Sequence, residues 1–332
     1  LLAGQRFDSE LTGDASLRSR PMERIAAPLR EMGAAVSTQQ GRAPLQIRGG
    51  HELHAIEYRS PVASGQIKSA VLLAGLYARG RTCVFEPGIS RDHTERMLQT
   101  FGVTVEAGTG FAALTGPAQL RGCEVKVPGD LSSAAFVLGA ACLAESGITE
   151  VQQVGINPTR TGVLDILRLM GANIAVVKES AAGAEPVANL RVTPAALRGV
   201  EIPAELVPLA IDELPLVFAL AACAEGPTVV AGASELRHKE SDRIATMVAG
   251  LRALGVQVDE RDDGAVIHGG AVNGGTVDST GDHRIAMAFA VLAGRASGAV
   301  TIKDTTNIAT SFPGFTALMN SLGLRLHDAD SG

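Results

Sequence analysis

The sequence predicts a protein of the α/β or α+β class, built from several copies of one structural unit. Two short signatures, each joining a helix to a strand, recur along its 332 residues. Hydrophobic residues make up 46% of the chain but aromatic residues only 3%, with no Trp. Ala, Val, Leu and Gly must therefore fill the core of each copy.

The first signature is a hydrophobic residue, a glycine and a short β-like stretch, and it occurs five times. The glycines are about 70 residues apart, with one longer gap of about 84. Glycine at this point supplies the left-handed backbone that ends a helix before the chain turns into a strand. The five copies are residues 32–36, 101–105, 170–174, 254–258 and 322–326.

The second signature is an Ala-rich helix followed by a strand-like run. Such helices are apolar nearly all round, which indicates that they are buried. They end near Gly80, Gly147, Gly226 and Gly298. Each copy of the unit therefore contains two helices and several strands.

A dense group of charges precedes an amphipathic helix in residues 237–255. The charged residues are Arg237, Lys239, Glu240, Asp242 and Arg243, and the apolar positions that follow are Ile244, Met247, Val248, Leu251 and Leu254. Backbone N–H groups at a helix start bind anions readily. Three cations exceed what a helix cap needs and indicate a bound anion, with Glu240 as a candidate acid or base. The alternative is a solvated helix start with salt bridges.

Further polar residues stand directly before the four Ala-rich helices. They are Ser64, Gly65, Gln66 and Lys68 before the first, Asp130, Ser132 and Ser133 before the second, Asp212 and Glu213 before the third, and Asp282, His283 and Arg284 before the fourth. Helix capping accounts for one Ser or Asp at each start, including Asp130 and Ser132. It does not account for the Gln, Lys, His and Arg residues, so we expect several helix starts to bind one anion.

Net charge and cysteine usage argue against several classes of protein. The formal net charge of −6 argues against a general nucleic-acid binder, and no apolar run reaches the ~18 residues of a membrane span. The cysteines, Cys83, Cys123, Cys142 and Cys223, form no C-x-x-C pair and indicate small core residues in a reducing compartment. We expect a soluble protein of the cytoplasm.

The first four residues, LLAG, resemble the end of the Ala-rich helix at residues 72–75. The chain then begins inside a copy of the unit, and we expect an N-terminally truncated protein.

Further on, Arg20 lies in a Gly/Ser/Pro-rich loop, where its planar guanidinium group would match the oxygens of a phosphate. The alternative for Arg20 is a solvated loop arginine.

Seven segments together resemble the 5-enolpyruvylshikimate-3-phosphate synthase family, in order and with suitable spacing along the whole chain. They are LRSRPM, PVASGQIKSAVLLAG, SRDHTERML, AIDELP, RHKESDR, TGDHRIAMAF and NIATSFP. The resemblance implies the two-domain enolpyruvyl transferase fold, in which each inverse α/β barrel-like domain repeats a βαβαββ unit three times. It implies domains at residues 1–127 and 128–332, with the active site in the cleft between them.

The implied reaction transfers the enolpyruvyl group of phosphoenolpyruvate to the 5-hydroxyl of shikimate 3-phosphate and releases phosphate. Addition and then elimination proceed through a tetrahedral intermediate, without a metal or an organic cofactor. Both substrates are multiply anionic, so the site needs cations to bind them and acid/base groups to move protons. By the resemblance we expect a monomer whose partners are these small molecules, and neither nucleic acid nor a membrane.

Carried over motif by motif, the resemblance assigns four residues to phosphoenolpyruvate. Arg20 would hold its phosphate, with Gln66 nearby. Arg243 and Arg284 would clamp its carboxylate.

The remaining assignments concern the second substrate and the proton transfers. The residues implied to contact shikimate 3-phosphate are Ser64, Gly65, Arg91 and Lys239, the last chiefly through its phosphate. Asp212 would accept the proton of the 5-hydroxyl, and Glu240 would handle the proton at the methylene carbon. Neighbouring cations can hold one carboxylate ionised while the other moves a proton. The alternative for Asp212 is a helix cap.

The sequence departs from the family's pattern at two places. The family's N-terminal Lys-containing turn and Asn-x-Gly-Thr helix start have no counterpart here, so we expect the chain as given to be inactive or nearly so. Thr310 stands where many members have a lysine, so one contact to phosphate is lost or supplied elsewhere.

Two other functions stay open at this point. The sister enzymes that transfer enolpyruvyl to UDP-N-acetylglucosamine share the fold but usually use a cysteine in a mobile loop, for which Cys123 is the nearest candidate. A non-catalytic anion-binding relative would bind substrate without turnover, and the presence of both Asp212 and Glu240 argues against it.

Overall fold

The computed structural model describes residues 1–328, which divide into two compact units with separate hydrophobic cores. Unit 1 comprises Leu1–Lys126 together with Ala182–Glu185. Unit 2 comprises Val127–Ala181 and the described chain from Pro186 onward. No helix in this described part is long and apolar enough to cross a membrane. The two functional domains expected from the sequence, residues 1–127 and 128–332, stay a prediction.

Unit 1 alternates short helices with strands. A 3₁₀ turn at Leu2–Gly4 is followed by β1 (Ser9–Leu11), α1 (Ala15–Ser19), α2 (Glu23–Glu31), β2 (Ala35–Gln39), β3 (Arg42–Arg48), β4 (Glu57–Arg59), α3 (Gly65–Gly75), β5 (Gly80–Phe85), α4 (His93–Thr100), β6 (Val105–Gly108) and β7 (Phe111–Gly116).

Unit 2 continues the alternation with longer, more apolar helices. Its elements are α5 (Leu131–Leu143), β8 (Thr149–Gly155), α6 (Gly162–Leu169), β9 (Asn173–Ala182), β10 (Glu185–Thr193), α7 (Leu214–Ala221), β11 (Pro227–Val230), a 3₁₀ helix at Ser234–His238, α8 (Arg243–Ala253), β12 (Gln257–Arg261), β13 (Gly264–His268), β14 (Gly275–Asp278), α9 (His283–Ala293), β15 (Val300–Lys303), α10 (Ile308–Ser311) and α11 (Phe315–Ser321). The tip of the β9–β10 hairpin is the segment that groups with unit 1.

The sheets repeat one topology, which confirms the repeated unit expected from the sequence. In the segment from β4 to β7 the order is βαβαββ, with β4 parallel to β5 and the antiparallel series β5-β7-β6 beside it. The sheets β1-β3-β2, β8-β10-β9 and β11-β13-β12 have the same order, in which the first strand pairs with the third. The parallel pair β14–β15 repeats the pair β4–β5.

The five glycine turns are left-handed, as the sequence predicts. Their φ angles are 94°, 83°, 91°, 82° and 102° for Gly33, Gly102, Gly171, Gly255 and Gly323. At the third turn the Gly171 N–H donates to the Arg168 carbonyl and the Ala172 N–H to the Leu167 carbonyl, both at 2.9 Å. This pair of bonds is the Schellman arrangement that satisfies the last carbonyls of a helix.

The last copy of the turn is not followed by a strand, and that expectation from the sequence was wrong. Within residues 1–328 no strand pairs with residues 324–326. The Asn320 side chain supplies both hydrogen bonds to the Leu326 backbone instead, each at 2.7 Å. A β-like stretch without a neighbouring strand finds its backbone partners locally.

The Ala-rich helices are buried, as expected, and their starts position the polar residues of unit 2. All eight residues of α7 are buried, as are eight of the eleven in α9. Small residues let other side chains come close: a Cβ on Gly139 of α5 would meet Leu216 of α7 at 3.0 Å. Asp130, Glu213 and Asp282 occupy the positions directly before α5, α7 and α9.

We expect Gly171→Ala to lower the free energy of unfolding by about 1–2 kcal/mol, because alanine resists the left-handed backbone. An added Cβ would meet only the Ala196 carbonyl oxygen, at 3.4 Å, so backbone strain dominates. The matched control is Gly270→Ala, where φ is not positive and the space is open. Urea denaturation measures the free energy of unfolding of both variants. Equal losses of this free energy would contradict the claim that strain in a left-handed backbone dominates at Gly171.

Candidate active site

Arg243 lies at the centre of the polar cluster in unit 2. It is the first residue of α8, whose cap is Asp242, which accepts from the Ala245 N–H at 3.0 Å. The Arg243 side chain is only 1% exposed. Its Nε donates to Asp282 Oδ2 at 2.7 Å and its Nη2 to Glu240 Oε2 at 2.6 Å. Two carboxylates therefore hold this buried cation in place.

The third nitrogen of Arg243 faces Asp212. Nη1 has no hydrogen-bond partner among the described residues, although it is shielded from solvent. Asp212 Oδ1 lies 3.7 Å from it, within ion-pair range but beyond a hydrogen bond. A buried donor without a partner is costly, so this nitrogen is suited to an acceptor that a ligand supplies.

Asp212 lies between two cations in unit 2. Lys239 Nζ is 3.6 Å and Arg243 Nη1 is 3.7 Å from its Oδ1, and its side chain is 15% exposed. The cap position of α7 belongs to the next residue, Glu213. Asp212 is therefore a carboxylate beside two cations, and its backbone does not occupy the capping position.

The remaining charges near the start of α8 divide into two groups. Lys239 pairs with Glu235 and Asp212, and Glu240 pairs with Arg243. Arg237, by contrast, binds Asp242 at 2.8 Å and Glu260 at 3.1 Å. The expectation that it belongs with the cations of an anion site was therefore wrong: it ties the 3₁₀ helix to α8 and β12.

The start of α9 supplies a second arginine to the cluster. Asp282 is fully buried and caps the helix by accepting from the Arg284 N–H at 2.9 Å. The Arg284 side chain is 17% exposed, and its Nη1 donates to the Asp212 carbonyl oxygen at 3.0 Å. Its Nε and Nη2 make no hydrogen bond within residues 1–328, so one edge of the guanidinium group remains open to a ligand. Burial lowers the pKa of the adjacent His283, and the charge of Arg284 lowers it further.

The contacts that join Ser132, Glu213 and Arg160 beside this cluster were not predicted from the sequence. Ser132 Oγ donates to Glu213 Oε1 at 2.5 Å, and Arg160 Nη2 donates to Ser132 Oγ at the same distance. The capping interpretation is correct for Asp130, which accepts from the Ser133 N–H at 2.9 Å, and wrong for Ser132. Ser132 is buried, and its hydroxyl group bonds to Glu213 at the start of α7. The feature of the sequence that pointed to this network was Glu213, a second carboxylate directly after Asp212.

Four of the residues expected to bind substrate come together at the start of α3 in unit 1. Ser64 caps the helix, accepting from the Ile67 N–H at 3.4 Å. A Cβ on Gly65 would lie 3.3 Å from Arg91 Cβ, so a larger residue at this position would crowd the segment that carries Arg91. Gln66 Oε1 accepts from Arg24 Nη2 at 2.6 Å. Arg20 is half-buried and directly follows α1.

Lys68 is not an anion ligand, and that expectation was wrong. Its Nζ lies 2.8 Å from Glu95 Oε1 and 3.1 Å from Glu86 Oε2, and all three side chains are buried. Glu86 also accepts from the Ser64 N–H at 2.7 Å and from Ser90 Oγ at 2.7 Å. The charge of Lys68 is therefore neutralised inside unit 1, where it supports the segments that carry Ser64 and Arg91.

The repeated unit and the polar helix starts define an enolpyruvyl transferase fold. The chain is similar to the enolpyruvyl transferase NikO from Streptomyces tendae, with a TM-score of 0.73 over 96% of this chain and 73% of that chain. The identity of this pair is 21%, so the likeness shows the fold alone.

More similar proteins identify the family within that fold. The family model for EPSP synthase (3-phosphoshikimate 1-carboxyvinyltransferase) matches residues 1–319, and the chain belongs to this family. A 3-phosphoshikimate 1-carboxyvinyltransferase from Acidithiobacillus ferrooxidans is 58% identical, over 100% of this chain and 76% of that protein. The structure of EPSP synthase from Acinetobacter baumannii is similar with a TM-score of 0.90 at 48% identity, over 97% of this chain and 75% of that one. The chain spans about three quarters of the length of these relatives.

We expect Lys68→Met to lower the free energy of unfolding by roughly 3–5 kcal/mol, because it leaves two buried carboxylates without their cation. The variant Lys68→Met/Glu95→Gln, which also removes one of the two negative charges, should recover part of that loss. Chemical denaturation followed by circular dichroism measures both variants. A Lys68→Met protein as stable as the wild type would show that the carboxylates do not depend on this lysine.

Proposed function

We propose that the unit 2 cluster around Asp212 carries out the transfer of the enolpyruvyl group of phosphoenolpyruvate to the 5-hydroxyl of shikimate 3-phosphate. The observation that carries this proposal is the buried Arg243, whose Nη1 has no hydrogen-bond partner among the described residues and lies 3.7 Å from Asp212 Oδ1. The membership of the chain in the EPSP synthase family supports the choice of reaction.

The two arginines are suited to the carboxylate of phosphoenolpyruvate. Asp282 and Glu240 fix two nitrogens of Arg243, and the Asp212 carbonyl oxygen fixes Nη1 of Arg284. Each guanidinium group keeps at least one nitrogen for a ligand oxygen, and a carboxylate is an acceptor that matches such donors in geometry and charge. Because both groups are already oriented, binding requires little further ordering of the protein.

Asp212 and Glu240 are the proposed acid/base pair. In this scheme Glu240 carries a proton once both substrates are bound. As the substrate hydroxyl oxygen bonds to the central carbon of phosphoenolpyruvate, Asp212 takes the hydroxyl proton and Glu240 gives its proton to the methylene carbon. Glu240 takes a proton back from that carbon as the bond to the phosphate oxygen breaks, so the double bond is restored. The leaving phosphate takes the proton that Asp212 accepted, and both carboxyl groups return to their starting forms. Lys239 and Arg243 stabilise the negative charge that Asp212 carries before the reaction.

Further substrate contacts are proposed from the resemblance. Lys239 binds the phosphate of shikimate 3-phosphate, while Arg20 binds the phosphate of phosphoenolpyruvate with Gln66 beside it. Ser64, Gly65 and Arg91 contact shikimate 3-phosphate. The packing of Gly65 on Arg91 supports a shared role for these two segments.

The cysteine-dependent alternative gains no support from the thiols. Cys83 and Cys142 are buried and Cys223 is half-buried. Burial raises the pKa of Cys142 to about 12 and that of Cys223 to about 11, so these thiols are poor nucleophiles at neutral pH. Cys123 is exposed and free, and retention of activity in a Cys123→Ser variant would exclude it from the reaction.

The cellular location and the oligomeric state of the protein are proposed from its composition and its family. We place the protein in the cytoplasm as a monomer that binds two small anionic substrates. Sedimentation velocity at increasing protein concentration tests the monomer, and a rising sedimentation coefficient would contradict it.

We expect Asp212→Asn to slow phosphate release about 10²–10⁴-fold, because the amide cannot accept the hydroxyl proton. Release is measured in a single turnover with protein in excess over both substrates, so that slow chemistry remains visible. The matched control is Asp259→Asn, an exposed carboxylate in unit 2 that pairs with His268. The control should react at the wild-type rate.

Calorimetric titration with shikimate 3-phosphate separates this loss of chemistry from a loss of binding. Asp212→Asn should still bind this substrate. A wild-type rate above that of the reaction without protein, retained in full by Asp212→Asn, would remove Asp212 from the mechanism. A wild-type chain that binds neither substrate would contradict the proposed function.

A further inference from the structure

Glu213 is a buried carboxylate that the proposed reaction does not use. Its side chain is 4% exposed. It occupies the cap position of α7, where a carboxylate usually accepts a backbone N–H, but it makes no capping bond. Its location beside Asp212 therefore calls for another explanation.

The Glu213 side chain reaches the second arginine of the site. Glu213 Oε1 lies 3.5 Å from Arg284 Nη1 and accepts from Ser132 Oγ at 2.5 Å. The same Nη1 of Arg284 donates to the carbonyl oxygen of Asp212 at 3.0 Å. Two consecutive residues thus hold one nitrogen of Arg284 and leave its other edge open.

Arg160 and Ser132 support Glu213 from the opposite side. Arg160 Nη2 donates to Ser132 Oγ at 2.5 Å and lies 3.9 Å from Glu213 Oε1, and Arg160 Nη1 lies 3.5 Å from Asp130 Oδ1. The carboxylate therefore cannot swing away from Arg284 without breaking contacts to α5 and to the loop before α6. The network runs from the start of α5, through Glu213, to the start of α9.

We propose that Glu213 is a positioning residue, which fixes the Arg284 guanidinium group so that its Nε and Nη2 receive the carboxylate of phosphoenolpyruvate. This inference rests on the proposed function of Arg284. Glu213 touches no reacting atom in this scheme and acts through Arg284.

Electrostatics distinguish positioning from simple stabilisation. Burial raises the pKa of Glu213, and Asp212 raises it further, against the opposing effects of Arg284, Ser132 and Arg160. A carboxyl group whose pKa is raised in the folded protein contributes to stability at pH values below its ordinary pKa, near 4.5. That contribution is lost as the pH rises through the pKa of the group in the folded protein. The charged form of Glu213 therefore does not favour folding. Replacing Glu213 by a neutral side chain of the same shape should leave the protein at least as stable.

The test compares Glu213→Gln with the wild type at pH 7.5. Glutamine keeps the shape and can accept from Ser132 Oγ, but it cannot carry a negative charge toward Arg284 Nη1. We expect the affinity for phosphoenolpyruvate, measured by calorimetry with shikimate 3-phosphate present, to fall about ten-fold. The affinity for shikimate 3-phosphate should not change, and the melting temperature should not fall.

Two comparisons exclude a general structural effect. Phe218→Leu truncates a buried side chain in the same helix, so it should lower the melting temperature without weakening phosphoenolpyruvate binding. In an Arg284→Lys background, Glu213→Gln should weaken binding no further, because the group that it positions is gone. A lower melting temperature for Glu213→Gln with unchanged affinity, or full additivity with Arg284→Lys, would overturn the proposal.

A spectroscopic measurement keeps this inference separate from the proposed function. Nitrogen-15 NMR reports rotation about the Nε–Cζ bond of Arg284, assigned by its loss in Arg284→Lys. We expect this rotation to be slow in the wild type and faster in Glu213→Gln, with or without substrate. Equal rotation rates would overturn the positioning role. A chain that binds no phosphoenolpyruvate would instead overturn the proposed function.

Discussion

The buried ion pair between Arg243 and Asp282 is the interaction on which the organisation of unit 2 depends. Arg243 is 1% exposed and Asp282 fully buried, and their closest approach is 2.7 Å. Neither charge is tolerated in a core alone, so each requires the other. Asp282 also caps α9, and Arg243 begins α8. One contact thereby fixes the starts of two helices and the orientation of the guanidinium group that faces Asp212.

Small side chains in the core make this convergence of charges possible. Gly250 in α8 faces Phe289 in α9 so closely that an added Cβ would lie 2.3 Å from the ring. The helices α5, α7 and α9 are mostly Ala, Leu, Val and Phe, so they bury apolar surface along their length and keep polar groups at their starts. The low aromatic content noted in the sequence and the charged cluster are two consequences of the same packing.

Local patterns predicted the parts of this structure that depend on nearby residues. The five left-handed glycines, the buried Ala-rich helices and α8 with its apolar positions were all visible from spacing, because each depends on helix geometry alone. Partners distant in sequence were not visible. Ser132 and Glu213 are 81 positions apart, and nothing local distinguishes Ser132 from a helix cap. Lys68 was misjudged for the same reason, since Glu86 and Glu95 neutralise it only after folding.

The most direct test of this account is a crystal structure of the chain with shikimate 3-phosphate and phosphoenolpyruvate bound. The quantity to measure is the distance from the phosphoenolpyruvate carboxylate to Arg243 Nη1 and to the open edge of Arg284. Both distances should be about 2.7–2.9 Å, as in charge-assisted hydrogen bonds. A carboxylate bound elsewhere, with Arg243 Nη1 still lacking an acceptor, would contradict it.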